Sequence, residues 1–162
     1  MNQITIKVSN QSFFEKLLLF SEELYKIFVQ YNFKQITYGS LAYLYYTKDE
    51  RMTINDIDFL IPESEFETLI TVSNNHDTFS CETTSYHSLK ILKDDMKISF
   101  DSIEHYLNNL PSKSISAEIN GFRFNILNLQ SLKEAYRLGI ESIPVKKEAY
   151  ALKFSKLSQF DD

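Results

Sequence analysis

Between Gln11 and Tyr31 the apolar residues Phe13, Phe14, Leu17, Leu18, Phe20, Leu24, Ile27 and Phe28 recur three and four apart, with Glu15, Lys16, Glu22, Glu23 and Lys26 in the intervals. A 3.6-residue period gathers the apolar set on one face, so the spacing predicts an amphipathic helix. Asn10 or Ser12 can cap its start, and Tyr31-Asn32 ends the pattern. Gln35 to Tyr38 then has strand character, Gly39 interrupts it, and Ser40 to Tyr46 is an apolar, breaker-free run suited to a short helix. After a polar loop from Thr47 to Asn55, the β-favouring run Ile57 to Ile61 is stopped by Pro62, and helical spacing resumes from Ser64 to Ile70. The first half therefore reads helix, strand, helix, strand, helix.

The middle of the chain changes period. Phe79 to Thr84, His87 to Lys93 and Met96 to Ser102 are short β-favouring stretches, the last two joined across Asp94-Asp95 as a hairpin. A second hairpin is better specified, because Asn120-Gly121 between Ser114–Ile119 and Phe122–Leu127 supplies the two positive φ angles of a type I′ turn. Leu129 to Ile140 and Val145 to Ser158 read as two helices separated by Pro144. No repeat or Pro/Gly/Ser-rich linker divides the chain. We expect one α/β (α+β) domain over residues 1–162: a small mixed sheet with helices on one side as a core to about residue 127, then C-terminal helices from about 128.

At 162 residues the chain is long enough for a real core, and 43% hydrophobic with 24% charged residues fits a folded globular protein. Seventeen basic against 22 acidic residues leave a net charge of −5, which argues against a broad nucleic-acid footprint while allowing a local basic patch. No apolar run is long enough for a membrane span, and Met1 to Asn10 lacks the layout of a signal peptide, so the expected location is the cytoplasm. Cys81 is the only cysteine, which excludes an internal disulfide, and His76, His87 and His105 are too scattered for a zinc site.

Three short segments carry chemistry. In Asn55-Asp56-Ile57-Asp58-Phe59 the strand period of two puts both carboxylates on one face and Ile57 on the other. Strands disfavour Asp, and two adjacent carboxylates repel unless a cation lies between them or one stays protonated. A hard divalent metal with oxygen ligands resolves that repulsion. Upstream, Tyr38-Gly39-Ser40 lies at a strand-to-helix junction, where free N–H groups can receive a phosphate; the alternative is an ordinary tight turn. In Lys97-Ile98-Ser99-Phe100-Asp101, Ile98 and Phe100 share one face and Asp101 the other, which offers a third acid from a neighbouring strand; the alternatives are Glu104 in that role, or an Asp that only starts a turn after the strand.

A Gly-Ser strand–helix turn, then an Asp-x-Asp flanked by hydrophobic residues, then a lone Asp on a later strand resembles the polymerase β type nucleotidyltransferase superfamily, over most of the chain. Arg51-Met52-Thr53-Ile54-Asn55-Asp56-Ile57-Asp58 is similar to the bacterial branch of abortive-infection toxins and antibiotic nucleotidyltransferases, in which an Arg and a Ser or Thr often precede the acid pair. The C-terminal hairpin and helices, with Lys146-Lys147 leading the last one, also resemble that group. This chain departs from it in a longer Ser40-to-Asp56 interval and in Leu41-Ala42 after Ser40.

The resemblance implies transfer of a nucleoside monophosphate from an NTP, with ATP expected, to an acceptor hydroxyl. Asp56, Asp58 and Asp101 would be the catalytic and metal-binding acids, holding two Mg²⁺ ions, and Gly39, Ser40, Arg51 and Lys147 would contact the nucleotide. The residues alone leave Arg51 and Lys147 readable as solvated surface groups. The acceptor implied is a small molecule, a transfer RNA or a protein side chain, with a homodimer or a cognate antitoxin as further partners. Two other readings stay open: a non-catalytic nucleotide- or protein-binding module on the same fold, and an accidental motif in an interaction domain.

Overall fold

The computed structural model describes residues 2–32, 34–84, 87–107 and 113–160. An edge strand β1 (Asn2–Ile4) precedes helix α1 (Gln11–Phe28), which tightens into a 3₁₀ turn over Val29–Tyr31 and stops where Asn32 turns left-handed at φ 55°. Asn10 does not cap this helix. Its side chain instead accepts from Ile54 N at 3.0 Å and donates to Ile54 O at 2.7 Å, tying the start of α1 to the loop before the acid pair.

Strand β2 (Ile36–Tyr38), helix α2 (Gly39–Thr47) and strand β3 (Ile57–Ile61) follow the predicted order. Helix α3 (Phe66–Asn74) starts later and runs further than the spacing suggested, because Glu63–Glu65 forms a 3₁₀ turn after Pro62. Strands β4 (Ser80–Thr83), β5 (Ser88–Lys93) and β6 (Met96–Ser102) lead into a short helix α4 (Ile103–Leu107). Strands β7 (Ser114–Ile119) and β8 (Phe122–Leu127) form the second hairpin, with φ 50° at Asn120 and 89° at Gly121 as the turn type demands. Helices α5 (Leu129–Ser142) and α6 (Lys147–Leu157) complete the chain, α5 capped by the Asn128 side chain accepting from Ser131 N.

All strands join one mixed sheet in the order β1-β7-β8-β2-β3-β6-β5-β4. The sheet is larger than expected because the two hairpins extend a central β2-β3-β6 unit on opposite sides. β1, which no sequence pattern announced, is held by its neighbours: Asn120 N donates to Ile4 O at 3.0 Å, and the Asn120 amide pairs with both backbone groups of Ile6. On one sheet face Phe59 stacks on Phe100 with ring centres 5.5 Å apart, and α1 packs there through Phe28, edge-on to Phe100 at 6.2 Å. Among the described residues no helix is long and apolar enough to cross a membrane.

Candidate active site

Strand register decides what stands beside the acids. Tyr38, the last residue of β2, lies opposite Asp58 on β3; Ser99 of β6 is the partner of Asp58 on the other side, and Asp101, two residues on, lies opposite Ser88 of β5. Alternation therefore brings Tyr38, Asp58, Ser99, Asp101 and Ser88 to one face and sends Phe59 and Phe100 to the other. Asp56 immediately precedes β3 and is half-buried, as is Asp58, whereas Asp101 is only 6% exposed.

Burial drives the Asp58 carboxyl well above the usual carboxylate range; the charges of Asp56 and Asp101 push it further, and Lys146 and Lys153 act against them. Asp101 is also raised by burial. Two hydrogen bonds oppose the rise: Ser88 Oγ donates to its Oδ1 and Tyr38 Oη to its Oδ2. Tyr106 Oη lies 3.2 Å from the same Ser88 Oγ, so a hydroxyl chain anchors the third acid. The strand face thus concentrates carboxyl groups whose charged forms repel.

Gly39 has two reasons to be glycine. Its φ of 68° disfavours any side chain, and a Cβ there would overlap Asp58 Oδ2 and sit 3.1 Å from Asp58 Cγ. The Gly-Ser turn and the Asp-x-Asp strand are therefore mutually dependent, since the carboxyl of one rests against the backbone of the other. Ser40, in the first turn of α2, is half-buried and faces the C-terminal helices, where Lys153 Nζ donates to its Oγ at 3.4 Å.

Lys153 is the cation the sequence did not single out. Its ammonium lies 5.5 Å from the ring centre of Tyr43 on α2 and 5.6 Å from that of Tyr136 on α5. Burial lowers its pKa; Asp58 supports the charged form, Lys146 opposes it and Asp56 supports it. Tyr150, also on α6, packs against α5 at Gly139, where a Cβ would come within 2.6 Å of its ring, and it stacks edge-on to Tyr136 at 5.4 Å. In α6, Tyr150, Lys153 and Leu157 recur at three and four positions. A lysine on that otherwise inward stripe was the signal that could have identified it.

Of the residues expected at the site, Gly39, Ser40, Asp56, Asp58 and Asp101 come together. Arg51 does not join them: its exposed guanidinium pairs with Asp49 at 3.0 Å in the loop before β3. Lys147 is exposed at the first position of α6, and the lysines whose charge reaches Asp58 are Lys146 and Lys153. Among the described residues no three acidic, histidine or cysteine side chains form a complete metal cage. Both Asp101 oxygens are engaged by hydroxyls, which leaves Asp56 and Asp58 as the open carboxyl pair.

No family model and no curated protein sequence matches the chain. Solved structures do. ANT(2″)-Ia in complex with adenylyl-2″-tobramycin superposes with a TM-score of 0.60 at 12% identity, covering 86% of each chain. The lincosamide antibiotic adenylyltransferase LnuA, lincomycin-bound, gives 0.56 at 9% identity over 94% of this chain and 98% of its own. An antigenic nucleotidyltransferase-like protein from Paracoccidioides brasiliensis gives 0.59 at 10% identity over 88% and 75%. These superpositions show that the chain shares the fold of those nucleotidyltransferase structures.

Proposed function

We propose that the protein transfers a nucleoside monophosphate from an NTP, ATP first among those to test, to a hydroxyl of a small-molecule acceptor. The observation that carries this is the juxtaposition of a half-buried carboxyl pair, Asp56 and Asp58, with hydrogen-bond donors from Ser40, the start of α2 and Lys153. Such donors suit an anion, and a polyphosphate laid between them and the carboxyl pair would meet opposite charge on one side only. The other side needs a cation. The carboxyl pair fits one: its oxygens are hard donors, and their mutual repulsion is what a divalent ion removes.

Asp56 and Asp58, the open carboxyl pair, would hold Mg²⁺ through their hard oxygen donors. A divalent ion held by that pair would supply positive charge to offset the triphosphate. The chain's own contributions are positional. Ser40 Oγ and the free N–H groups of α2 seat the distal phosphates, and Lys153 adds positive charge at the same place. As the acceptor oxygen bonds to the α-phosphorus, the bond to the bridging oxygen breaks and pyrophosphate leaves. The hydroxyl proton passes to the Asp101 carboxylate, which Tyr38 and Ser88 hold in one orientation.

A net charge of −5 favours a cationic acceptor, and solved structures of this fold include one with an adenylylated aminoglycoside and one with a lincosamide. The test combines α-labelled NTPs with aminoglycosides and lincosamides and measures pyrophosphate release and label on the acceptor. The reading requires metal-dependent transfer that Asp58→Asn abolishes. Absence of both transfer and metal-dependent NTP binding would overturn it and favour an interaction module.

A further inference from the structure

Four buried side-chain hydroxyls among the described residues have no hydrogen-bond partner: those of Thr37, Thr47, Ser73 and Tyr136. Tyr136 is the one that belongs to the helices covering the acids. It is 5% exposed, and after burial the Asp58 charge is the strongest influence on its hydroxyl, which is thereby held in the protonated, donating form. Buried phenols ordinarily find a partner, since an unmade hydrogen bond leaves the desolvation of the hydroxyl uncompensated. The fold tolerates this one while fixing its ring from three directions: Tyr43 edge-on at 6.4 Å, Tyr150 at 5.4 Å and the Lys153 ammonium at 5.6 Å.

A rigidly held donor without an acceptor implies an acceptor that arrives with the ligand. Lys153 joins Tyr136 to Ser40, because one ammonium lies over the Tyr136 ring and donates to Ser40 Oγ. Each of the three side chains carries a donor: Tyr136 Oη has no partner, Lys153 has N–H groups beyond the one it gives to Ser40, and Ser40 keeps its own O–H. We infer that Tyr136 is a substrate-binding residue, its hydroxyl donating to a phosphate oxygen of the nucleotide alongside Ser40 and Lys153. The inference rests on the nucleotidyl-transfer reading, and it assigns α5 a role in phosphate recognition beyond its role in packing.

Tyr136→Phe removes the oxygen and keeps the ring. Binding of a non-hydrolysable ATP analogue with Mg²⁺ should weaken about tenfold, the loss of one hydrogen bond to a charged group, while the melting temperature without ligand holds or rises. Unchanged affinity, or a ligand-free melting temperature lowered by several degrees, would overturn the assignment and make the hydroxyl structural. A measurement on the intact site covers a variant that does not fold: 3-fluorotyrosine placed at 136 should shift its ¹⁹F resonance when inorganic triphosphate and Mg²⁺ are added. No shift there, or a shift only with an aminoglycoside acceptor, contradicts a phosphate role. If the wild type binds no nucleotide at all, the functional reading fails together with the inference. If it binds and only the Tyr136 arms are silent, the inference fails alone.

Discussion

The two faces of β3 and β6 are built from alternate residues of the same strands and obey opposite rules. One carries Ile57, Phe59, Ile98 and Phe100, all buried, with Phe59 and Phe100 stacked and Phe28 closing them from α1. Burial there is favourable for every side chain involved. The other carries Asp58, Ser99 and Asp101, where burial raises the acids and makes their charged forms costly. A strand period of two lets one segment hold the sheet together and hold charge under tension within a few ångströms. Stability and chemistry should accordingly separate by residue parity.

Substitutions can break that separation. Asp58→Asn should cost about 10³-fold or more in transfer rate, as expected for loss of a carboxylate that would hold the divalent ion, yet raise ligand-free stability by about 1–2 kcal/mol. Paired turnover and denaturant titrations check both halves; a destabilised Asn variant would mean that the face is not strained by charge. Phe100→Ala is the mirror case. It should destabilise by about 3–5 kcal/mol through lost packing against Phe59 and Phe28, while the fraction still folded at low temperature keeps its nucleotide affinity.

Gly39→Ala acts where the start of α2 meets the polar face. A positive φ and overlap with the Asp58 carboxyl should lower stability by about 1–3 kcal/mol and reduce turnover in the same variant, because the acid must move. Turnover preserved at full stability would show that Asp58 does not rest on the glycine. Lys153→Met, which keeps most of the aliphatic stem, should weaken NTP binding about tenfold with little change in melting temperature, since the ammonium it removes is partly desolvated. Calorimetry beside thermal unfolding distinguishes this from a packing defect.

The smallest effect is in pH. The raised Asp58 and Asp101 carboxyls keep protons in the folded state that the unfolded chain has released, so their contribution to stability is present below the unfolded value near 3.8 and declines as pH rises through the raised folded values. The stability gap between Asp58→Asn and the wild type should therefore be small at about pH 4 and widen toward about pH 8. A gap independent of pH would remove the electrostatic explanation.

Much of this was legible in residue order. Strands β6, β7 and β8 fall where alternation placed them, and Asn120-Gly121 specified its turn unaided. Asp58 could be set on the face opposite Ile57, and Asp101 on the face opposite Ile98 and Phe100, because parity within a strand survives any small shift in strand ends; the pairing of β3 with β6 brings the two acids to one face. Partners supplied by distant segments could not be read. Ser88 is an unremarked serine until β5 pairs with β6, and Tyr106 becomes a site residue only because α4 turns back over that edge. Lys147 and Lys153 differ by six positions on one helix, and only the docking of α6 on α5 and α2 decides which faces Ser40. Arg51, adjacent to the acids in sequence, is claimed locally by Asp49. Asn10, a plausible helix cap by local rules, is recruited by Ile54 instead.

The central claim is that the polar face of β3 and β6 binds a metal-bound nucleotide. Calorimetric titration of a non-hydrolysable NTP panel, with and without Mg²⁺, on the wild type and on Asp56→Asn/Asp58→Asn tests it most directly. The account predicts binding that requires Mg²⁺ and disappears in the double variant while the fold is retained. Binding indifferent to both the metal and the two substitutions, or no binding by the wild type, would contradict it.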